Sequence, residues 1–409
     1  MDEIRAVEIF QRAIGEGCSD VHIKPGSPPK MRKNGKLFAV PSYESYILDA
    51  DTTSRLTQET MDEHAFAQYN APDVKQLDYS FEIPQVGRFR MNAYHTRGAN
   101  AFVGRLLQNK AKTLDELAVP SGVKKLAKSK NGLIIVSGAT GSGKSTTMAG
   151  IIDFINNTQP VNIISVEDPI EVVHSDAMAS IAQREVGVDV DSFELALESA
   201  LREDPDVILI GEIRSLKTLQ TAILAADTGH LVIATLHTTD ASKAINRIIT
   251  MYPNEERDLA RQQLAAVLRG IIAQRLVPNL VGGRTVINEI LVNTPEIAQA
   301  IVDEEPEQLY RDIIDRSPSM KSFEQHFVER VEAGLVSLDT AKEYSNAEYY
   351  ENVEVKEPHR NNQHVIESPG TKSLPPIPGG SARNPVHNKP PLPTRPAQLK
   401  GKSPSQLLG

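Results

Sequence analysis

The sequence predicts an α/β protein built around a parallel sheet, with a smaller α+β domain before it. Two patterns along the chain predict this class. Between residues 122 and 289, short and almost continuously apolar strand segments alternate with helical segments, which indicates a parallel sheet covered by helices on both faces. Before residue 107, one helical segment is followed by short strand segments that polar turns separate, as in a small α+β domain.

The first domain is predicted over residues 1–107. It begins with a helical segment whose apolar face is formed by Ile4, Val7, Phe10 and Ile14. Gly15 and Gly17 end this helix. The strand segments that follow are 20–23, 30–32, 36–40, 80–83 and 89–94. Residues 108–121 are interpreted as a linker because the connection begins with a polar segment.

The second domain is predicted over residues 122–290. Its strand segments are 133–137, 161–166, 207–210, 231–235 and 285–289, and the helical segments between them include 146–157, 192–201 and 216–226. Ligands of such sheets bind at the carboxyl ends of the strands, so a site is expected there. Residues 291–350 have a helical pattern, whereas the Pro-rich segment 357–409 is predicted to be a disordered tail.

Composition narrows the class of protein. The chain has 409 residues, of which 40% are hydrophobic, and no run approaches the roughly 20 apolar residues that a membrane span needs. The acidic start, Met1 to Ile4, lacks the basic residues of a secretory signal. The single cysteine, Cys18, excludes an internal disulfide and a cysteine-rich zinc site. A cytoplasmic location is therefore expected.

The charge is unevenly distributed. The net charge is −9, and the segment from Gly370 onward carries basic residues without acidic ones, so about −15 remains for the rest. A body this acidic lacks the electrostatic footprint of a motor that acts on nucleic acid. We therefore expect no nucleic-acid partner.

A glycine-rich loop follows the first strand of the second domain. It matches the pattern G-x-x-x-x-G-K-[ST] and consists of Gly138, Ala139, Thr140, Gly141, Ser142, Gly143, Lys144 and Ser145, with Thr146 next. Between a strand and a helix, this pattern predicts a cradle for the phosphates of a nucleotide such as ATP. Lys144 would reach the β- and γ-phosphates and Ser145 would ligate Mg²⁺. The alternative is a glycine-rich turn that fits the pattern by chance.

Polar residues also follow three other strands of the predicted sheet. Glu167 and Asp168 follow one, Glu212 and Arg214 the next, and His237 the third. Parallel strands bring these ends to one edge of the sheet, so we expect the residues to converge there. Glu212 can orient an attacking water or help to hold Mg²⁺. Its alternative role is a solvated loop carboxylate.

Glu167 and Asp168 would lie near the same metal ion and water. Their alternative role is to cap a helix, because Pro169 suits a first helical turn. His230 and His237 bracket one strand and lie roughly 23 Å apart, so one ion cannot bind both. His237 could sense the γ-phosphate, whereas packing or an interface is expected for His230.

Arginines are candidates because the transition state of phosphoryl transfer spreads negative charge over the γ-phosphoryl oxygens. The four considered are Arg90, Arg105, Arg202 and Arg214. The first two lie at the end of the first domain and could close on a nucleotide if that domain folds over it. The alternative for each is an ordinary surface arginine.

These motifs resemble those of the secretion and type IV pilus ATPase superfamily, most closely its PilT-type retraction motors. The resemblance covers residues 1 to about 345. The matching segments are 19–22, 138–145, 164–171, 200–214 and 228–238. It implies a PAS-like first domain, a RecA-like second domain and a ring-shaped homohexamer.

The resemblance also implies roles for individual residues. Glu212 would be the catalytic carboxylate, His237 would be needed for turnover, and Arg90 and Arg105 would approach the nucleotide from the first domain. ATP turnover would rock the two domains and act on an inner-membrane pilus platform protein, so the location would be peripheral at that membrane. Related secretion or conjugation motors, and an ATP-binding ring with little turnover, remain alternatives.

Two features depart from the retraction pattern. Residues 296–302, after Thr294 and Pro295, lack the arginines of the best-known retraction motors, which favours the accessory PilU-like branch and a second retraction ATPase as a partner. The Pro-rich tail lies outside the family pattern. Its PxxP segments near residues 390–396 could dock on a partner as polyproline II, or the tail could serve only as a solubilising end.

Overall fold

Two sheets organise the described part of the chain. The computed structural model describes residues 4–33, 35–84, 86–107, 110–351, 353 and 355. The predicted disordered tail, 357–409, lies outside the described residues, as do positions 108 and 109 of the predicted linker. An antiparallel sheet precedes residue 107, and a mixed sheet follows residue 131.

The strands of the antiparallel sheet are β1 (Asp20–Ile23), β2 (Lys30–Lys33), β3 (Lys36–Ala39), β4 (Gln76–Ile83), β5 (Gly87–Thr96) and β6 (Ala99–Leu106). Their order across the sheet is β3-β2-β1-β6-β5-β4. Three helices accompany them: α1 (Ala6–Gly15), α2 (Ala50–Glu59) and α3 (Glu63–Tyr69). Asp49 and Asp62 begin α2 and α3 by accepting bonds from N–H groups of the first turn.

The core of this region forms where α1 lies against the sheet. The ring of Phe10 packs against Phe89 and Phe81, with centroids 4.4 and 5.4 Å apart. Gly104 of β6 faces the same ring, and a Cβ at this position would lie 2.6 Å from Phe10 Cε1 and 2.7 Å from Met91 Sδ. The close approach of helix and sheet therefore requires glycine at position 104.

The strands of the mixed sheet are β7 (Gly132–Ser137), β8 (Asn162–Glu167), β9 (Ser180–Glu185), β10 (Val207–Ile210), β11 (Leu231–Leu236), β12 (Leu268–Pro278) and β13 (Arg284–Val292). Their order is β13-β12-β7-β11-β10-β8-β9. Neighbouring strands are parallel, except that β13 runs antiparallel to β12. The strand that leads into the glycine-rich loop, β7, therefore lies inside the sheet.

Helices cover both faces of this sheet. They are α4 (Ser121–Ala127), α5 (Lys144–Thr158), α6 (Phe193–Ala200), α7 (Leu216–Asp227), α8 (Ala241–Thr250) and α9 (Arg257–Val267). Leu133 and Ile135 of β7 join the core formed with α7, whereas Ile134 and Val136 join the core formed with α5. Every residue of β7 is buried, as an apolar run between two helical layers requires.

The C-terminal part of the described chain is helical. Its helices are α10 (Pro295–Val302), α11 (Glu307–Arg316), α12 (Phe323–Glu332) and α13 (Leu338–Tyr344). Ser322 and Gln325 form a capping box at the start of α12. Among the helices of the described residues, none combines the length and the apolar character that crossing a membrane requires.

The predicted α/β class is confirmed, and so are most predicted segments. The sheet is not parallel throughout as predicted, because the segment predicted at 285–289 lies in β13, which runs antiparallel to β12. The predicted strands 20–23 and 207–210 have the observed bounds. The sequence analysis missed β6, β9 and β12, together with α2 and α3. The region 291–350 is helical as predicted.

Candidate nucleotide site

The glycine-rich loop joins β7 to α5 and bends through glycines. Gly138, Gly141 and Gly143 have φ angles of +153°, +78° and +87°, which other residues rarely adopt. Gly143 begins α5 and has no side chain to cap it. In the described part of the chain, the first-turn N–H groups of Lys144 and Ser145 therefore find no partner. Free N–H groups at a helix start attract anions.

A cavity of about 430 Å³ lies beside this loop, at the carboxyl ends of β7, β8, β10 and β11. The structure brings most of the predicted site residues together there. Those that line the cavity are Thr140, Gly141, Gly143, Lys144, Ser145, Thr146, Glu167, Asp168, Glu212, Arg214 and His237. The expected convergence at one edge of the sheet is therefore observed, whereas the role of each residue stays a prediction.

Lys144 is held inside the loop that precedes it. Its Nζ donates to the carbonyl oxygens of Gly138, at 2.8 Å, and Ala139, at 3.3 Å. Burial lowers the pKa of Lys144, and the nearby carboxylate of Glu212 partly offsets this effect. The ammonium is thus partly desolvated, which favours an anion that could replace the carbonyl oxygens as its partner.

His237 connects Lys144 to Glu212. Its Nδ1 lies 3.4 Å from Lys144 Nζ, and its Nε2 lies 3.0 Å from Glu212 Oε2. An ammonium only donates and a carboxylate only accepts, so these bonds assign the tautomer in which Nε2 carries the proton. In this neutral form the ring accepts from Lys144 and donates to Glu212. The three side chains form one hydrogen-bonded chain across the cavity.

Arg214 holds Glu212 from the other side. Its guanidinium forms an ion pair with Glu212, and its second terminal nitrogen lies 3.5 Å from Asp168 Oδ2. Glu212 is 15% exposed, whereas Arg214 is 65% exposed. The carboxylate of Glu212 is therefore mostly buried and oriented from two sides, by His237 and by Arg214.

Glu167 is held by two neutral donors. Its Oε1 accepts from Ser165 Oγ at 2.8 Å and from Gln183 Nε2 at 3.1 Å. Burial raises the pKa of Glu167 more than these bonds lower it. The alternative in which Glu167 and Asp168 cap a helix is wrong, because in the described chain an irregular segment follows Pro169 and no helix begins there.

Gln274 is a site residue that the sequence analysis missed. It lies on β12, is buried, and donates from Nε2 to the carbonyl oxygen of Ser142 at 2.7 Å. This bond anchors the middle of the glycine-rich loop to the neighbouring strand. Gln274 belongs to no motif or spacing pattern, so the sequence gives no signal that could have found it.

Arg90 and Arg105 lie away from the cavity in this structure. They are cross-strand neighbours on β5 and β6, and both are exposed. Arg105 Nε donates to Oδ1 of the buried Asp20 at 2.8 Å. The structure thus brings the two arginines to each other rather than to the loop, and their predicted approach to a nucleotide requires a different arrangement of the chain.

Arg202 and His230 also lie outside the cavity. Arg202 is exposed in the turn after α6. His230 Nδ1 donates to the carbonyl oxygen of Ala225 at 2.9 Å, near the C-terminal end of α7. Whether His230 serves in packing or in an interface stays a prediction.

The oxygen atoms of side chains that line the cavity are suitable ligands for a divalent cation that is bound together with phosphate groups. The hydroxyl of Ser145 and the carboxylates of Glu167, Asp168 and Glu212 line the same space. Among the described residues, no cluster of three or more His, Cys, Asp or Glu side chains could hold a metal by itself. Mg²⁺ commonly takes one or two protein oxygens together with phosphates and water. The residues therefore fit Mg²⁺ with a bound polyphosphate.

Comparison with known proteins identifies relatives along most of the chain. Residues 3–282 match the family described as type II/IV secretion system protein. The type IV pilus retractation ATPase PilT of Pseudomonas aeruginosa is 38% identical over 340 residues, covering 82% of this chain and 96% of that protein. The type IV pilus ATPase PilU of the same organism is 36% identical over 343 residues, covering 83% and 88%.

A solved structure agrees with the sequence relatives. The crystal structure of the pilus retraction motor PilT with bound ADP has a TM-score of 0.78 to this chain, at 39% identity. The alignment covers 84% of this chain and 98% of that one. The similarity therefore extends across both sheets.

The fold and the cavity define an α/β protein with a glycine-rich loop at the carboxyl edge of a mixed sheet. Within that class, the family match and the relatives settle the assignment. The chain belongs to the type II/IV secretion system protein family. The predicted resemblance to PilT-type and PilU-like proteins is confirmed.

Proposed function

We propose that this protein is an ATP-hydrolysing motor that powers the retraction of type IV pili and thereby twitching motility. One observation carries the proposal. Lys144, His237 and Glu212, which follow three different strands, form one hydrogen-bonded chain in the cavity beside the glycine-rich loop. The names of the relatives, a pilus retractation ATPase and a pilus ATPase, support pili as the object moved.

ATP binding would use the loop and its lysine. The free N–H groups at the start of α5 and the positive end of that helix attract the phosphates. Lys144 would exchange the carbonyl oxygens of Gly138 and Ala139 for the β- and γ-phosphate oxygens. The left-handed glycines keep the loop backbone close to the ligand because they carry no Cβ.

Glu212 would orient the water that attacks the γ-phosphate and accept its proton. His237, neutral and protonated on Nε2, holds the carboxylate in place and contacts Lys144. When bound, Mg²⁺ would supply positive charge that compensates the negative charge developing on the phosphate oxygens. Ser145, with Glu167 or Asp168, would hold that ion. Phosphoryl transfer needs such positioning and charge compensation more than covalent chemistry.

Arginines would complete the charge compensation. Arg214 already reaches the cavity and contacts Asp168 and Glu212. Arg90 and Arg105 would reach the nucleotide only after a movement of the antiparallel sheet or from another copy of the chain. We assign no role in catalysis to Arg202 or His230, since neither lines the cavity.

Assembly and location form part of the same proposal. The protein would act as a homohexamer in which a PAS-like and a RecA-like domain rock against each other. It would lie in the cytoplasm at the inner membrane, bound to a pilus platform protein, and would act beside a second retraction ATPase if it is an accessory motor. The acidic body disfavours a nucleic-acid partner.

A deletion of the gene, scored by the number of surface pili, tests the proposal. Retraction predicts that pili accumulate and that twitching is lost. The intact gene should restore the wild-type number, whereas a gene that encodes Lys144→Ala should not, because the lysine is needed for ATP binding. A loss of surface pili in the deletion strain would contradict retraction and favour extension or secretion.

A further inference from the structure

A buried carboxylate joins the two sheets of the described chain. Glu185, the last residue of β9, accepts a bond from Arg88 Nη2 at 2.9 Å and from Ser80 Oγ at 2.7 Å. Ser80 and Arg88 lie on β4 and β5 of the antiparallel sheet. The side chain of Glu185 is 5% exposed and that of Arg88 is 18% exposed. These contacts thus cross from one sheet to the other in a place that solvent hardly reaches.

The same carboxylate also reaches the candidate nucleotide site. Glu185 pairs with Glu167 in the register of β8 and β9, and its Oε2 accepts from the backbone N–H of Ile170 at 3.3 Å. Glu167 and Asp168, which line the cavity, lie directly before this segment. Glu185 therefore contacts both the segment that carries two cavity carboxylates and the strands of the other sheet.

The ion pair is incomplete as well as buried. Arg88 engages Glu185 through one terminal nitrogen, and its buried Nε has no partner in the described part of the chain. A guanidinium and a carboxylate can form two parallel bonds, so this pair has a second arrangement available. A buried ion pair contributes little net stability, whereas the loss of one partner leaves an uncompensated charge. These properties suit an ion pair that can change its hydrogen bonds better than one that only stabilises the fold.

We propose that Glu185 is a positioning residue that couples occupation of the nucleotide site to the antiparallel sheet, through Arg88 and Ser80. The proposal rests on the proposed function insofar as the cavity binds ATP. A bound triphosphate and its cation interact with the side chains of Glu167 and Asp168. The resulting displacement of the segment from Asp168 to Ile170 alters the contact between that segment and Glu185. Arg88 and Ser80 then move β4 and β5 because they share that carboxylate.

Hydrogen exchange of the full chain tests this coupling without requiring turnover. A non-hydrolysable ATP analogue with Mg²⁺ should slow exchange in the loop at 138–146. In the unmodified protein it should also change exchange in β4 and β5 by at least about fivefold. In Arg88→Met, the loop response should remain and the response of β4 and β5 should fall below about twofold. Arg88→Lys should restore part of it.

Arg184→Met is the matched control. Arg184 lies on β9 beside Glu185 and pairs at 2.8 Å with Glu203, in the turn after α6. The variant therefore removes a similar ion pair that does not involve β4 or β5. This variant should keep the wild-type response in β4 and β5. If Arg88→Met misfolds because Glu185 is left unpaired, the double variant Arg88→Met/Glu185→Gln removes both charges and should give the same loss of response.

Two further results separate the possible failures. Steady-state kinetics of Arg88→Met should show a reduced kcat with a KM for ATP within about twofold of wild type, because the loop itself is unchanged. A full response of β4 and β5 in a folded Arg88→Met protein would overturn the coupling while ATP binding stands. No slowing of exchange in the loop of the unmodified protein would overturn the proposed ATP site and, with it, the coupling.

Discussion

Burial shifts the pKa of two side chains that line the cavity. It lowers the pKa of Lys144 and raises that of Glu167, so the protein around these two side chains disfavours both charges. A triphosphate would favour the protonated lysine, and its cation would favour the ionised carboxylate. A bound Mg²⁺–nucleotide would therefore offset the electrostatic cost of the two buried charges, which links the local pKa shifts to the proposed ligand.

Gln274 offers a test of the loop at the residue scale. Gln274→Met removes the donor that holds the Ser142 carbonyl and leaves that buried acceptor unpaired, which costs about 1–3 kcal/mol. We expect the KM for ATP to rise about tenfold because the loop loses its anchor. Gln262→Met, at an exposed position on α9, is the control and should leave the KM unchanged. An unaltered KM in Gln274→Met would show that the loop needs no anchor.

Glu289 predicts a pH dependence of stability. This carboxyl accepts a bond from the N–H of Ala241, and burial raises its pKa to about 7. The unfolded chain loses this proton at lower pH than the folded one. The contribution of protonated Glu289 to the free energy of unfolding is therefore present below about pH 4.5 and is lost as pH rises through about 7. The loss amounts to about 3 kcal/mol.

The variant Glu289→Gln should remove this loss, because the amide stays neutral and still accepts from Ala241. Thermal unfolding should show the variant gaining stability relative to wild type between pH 5 and pH 8. Glu332→Gln, at the exposed last position of α12, is the control and should show no such gain. A constant difference between Glu289→Gln and wild type across this range would contradict the assignment.

The residues of the site divide according to whether a motif contains them. Lys144, Ser145, Glu212 and His237 could be predicted from sequence, since each follows a strand of a recognisable parallel sheet. Gln274 could not, because it reaches the loop from a strand far away in the chain. Arg90 and Arg105 were predicted to approach the nucleotide, and this structure leaves that prediction untested.

At the scale of elements, the position of α1 depends on one glycine. Gly104→Ala would place a methyl group 2.6 Å from Phe10 Cε1, so helix and sheet would have to separate. We expect a loss of about 1–3 kcal/mol in the free energy of unfolding, measured with denaturant. Gly15→Ala, where a Cβ meets no atom within 4 Å, should be nearly neutral. Equal effects of the two changes would contradict this packing.

Two of the three missed strands, β9 and β12, lack a clear apolar pattern in the sequence. β9 is the edge of its sheet, and its alternating exposure leaves no continuous apolar run. β12 follows α9 without a turn and includes Gly270, Gln274 and Arg275, which weaken its apolar pattern. Strands at the centre of the sheet were found because they are apolar throughout and bounded by polar residues.

At the scale of the whole molecule, the sequence predicts the class of fold better than the assembly. The alternation of strands and helices predicts the parallel strands of the mixed sheet, and the order of the strand ends predicts the cavity. The ring, the platform protein and the direction of movement come from the resemblance alone. No pattern within one chain reports contacts with other chains.

Removal of the tail is a test at this scale. The family match ends at residue 282, and the residues that line the cavity lie before residue 285. A chain that ends at Glu357 should therefore keep wild-type ATP turnover and the same assembly size in light scattering. A truncated chain that fails to assemble would show that residues after 357 take part in the ring.

The central claim is that ATP binds at one edge of the mixed sheet, beside the carboxylate that orients the attacking water and accepts its proton. The most direct measurement is Mg²⁺-dependent ATP hydrolysis by the wild-type chain and by Glu212→Gln, with nucleotide binding measured in parallel. We predict that the variant binds ATP but hydrolyses it at least about tenfold more slowly, because an amide cannot accept the proton. Equal turnover by the two proteins would contradict the account.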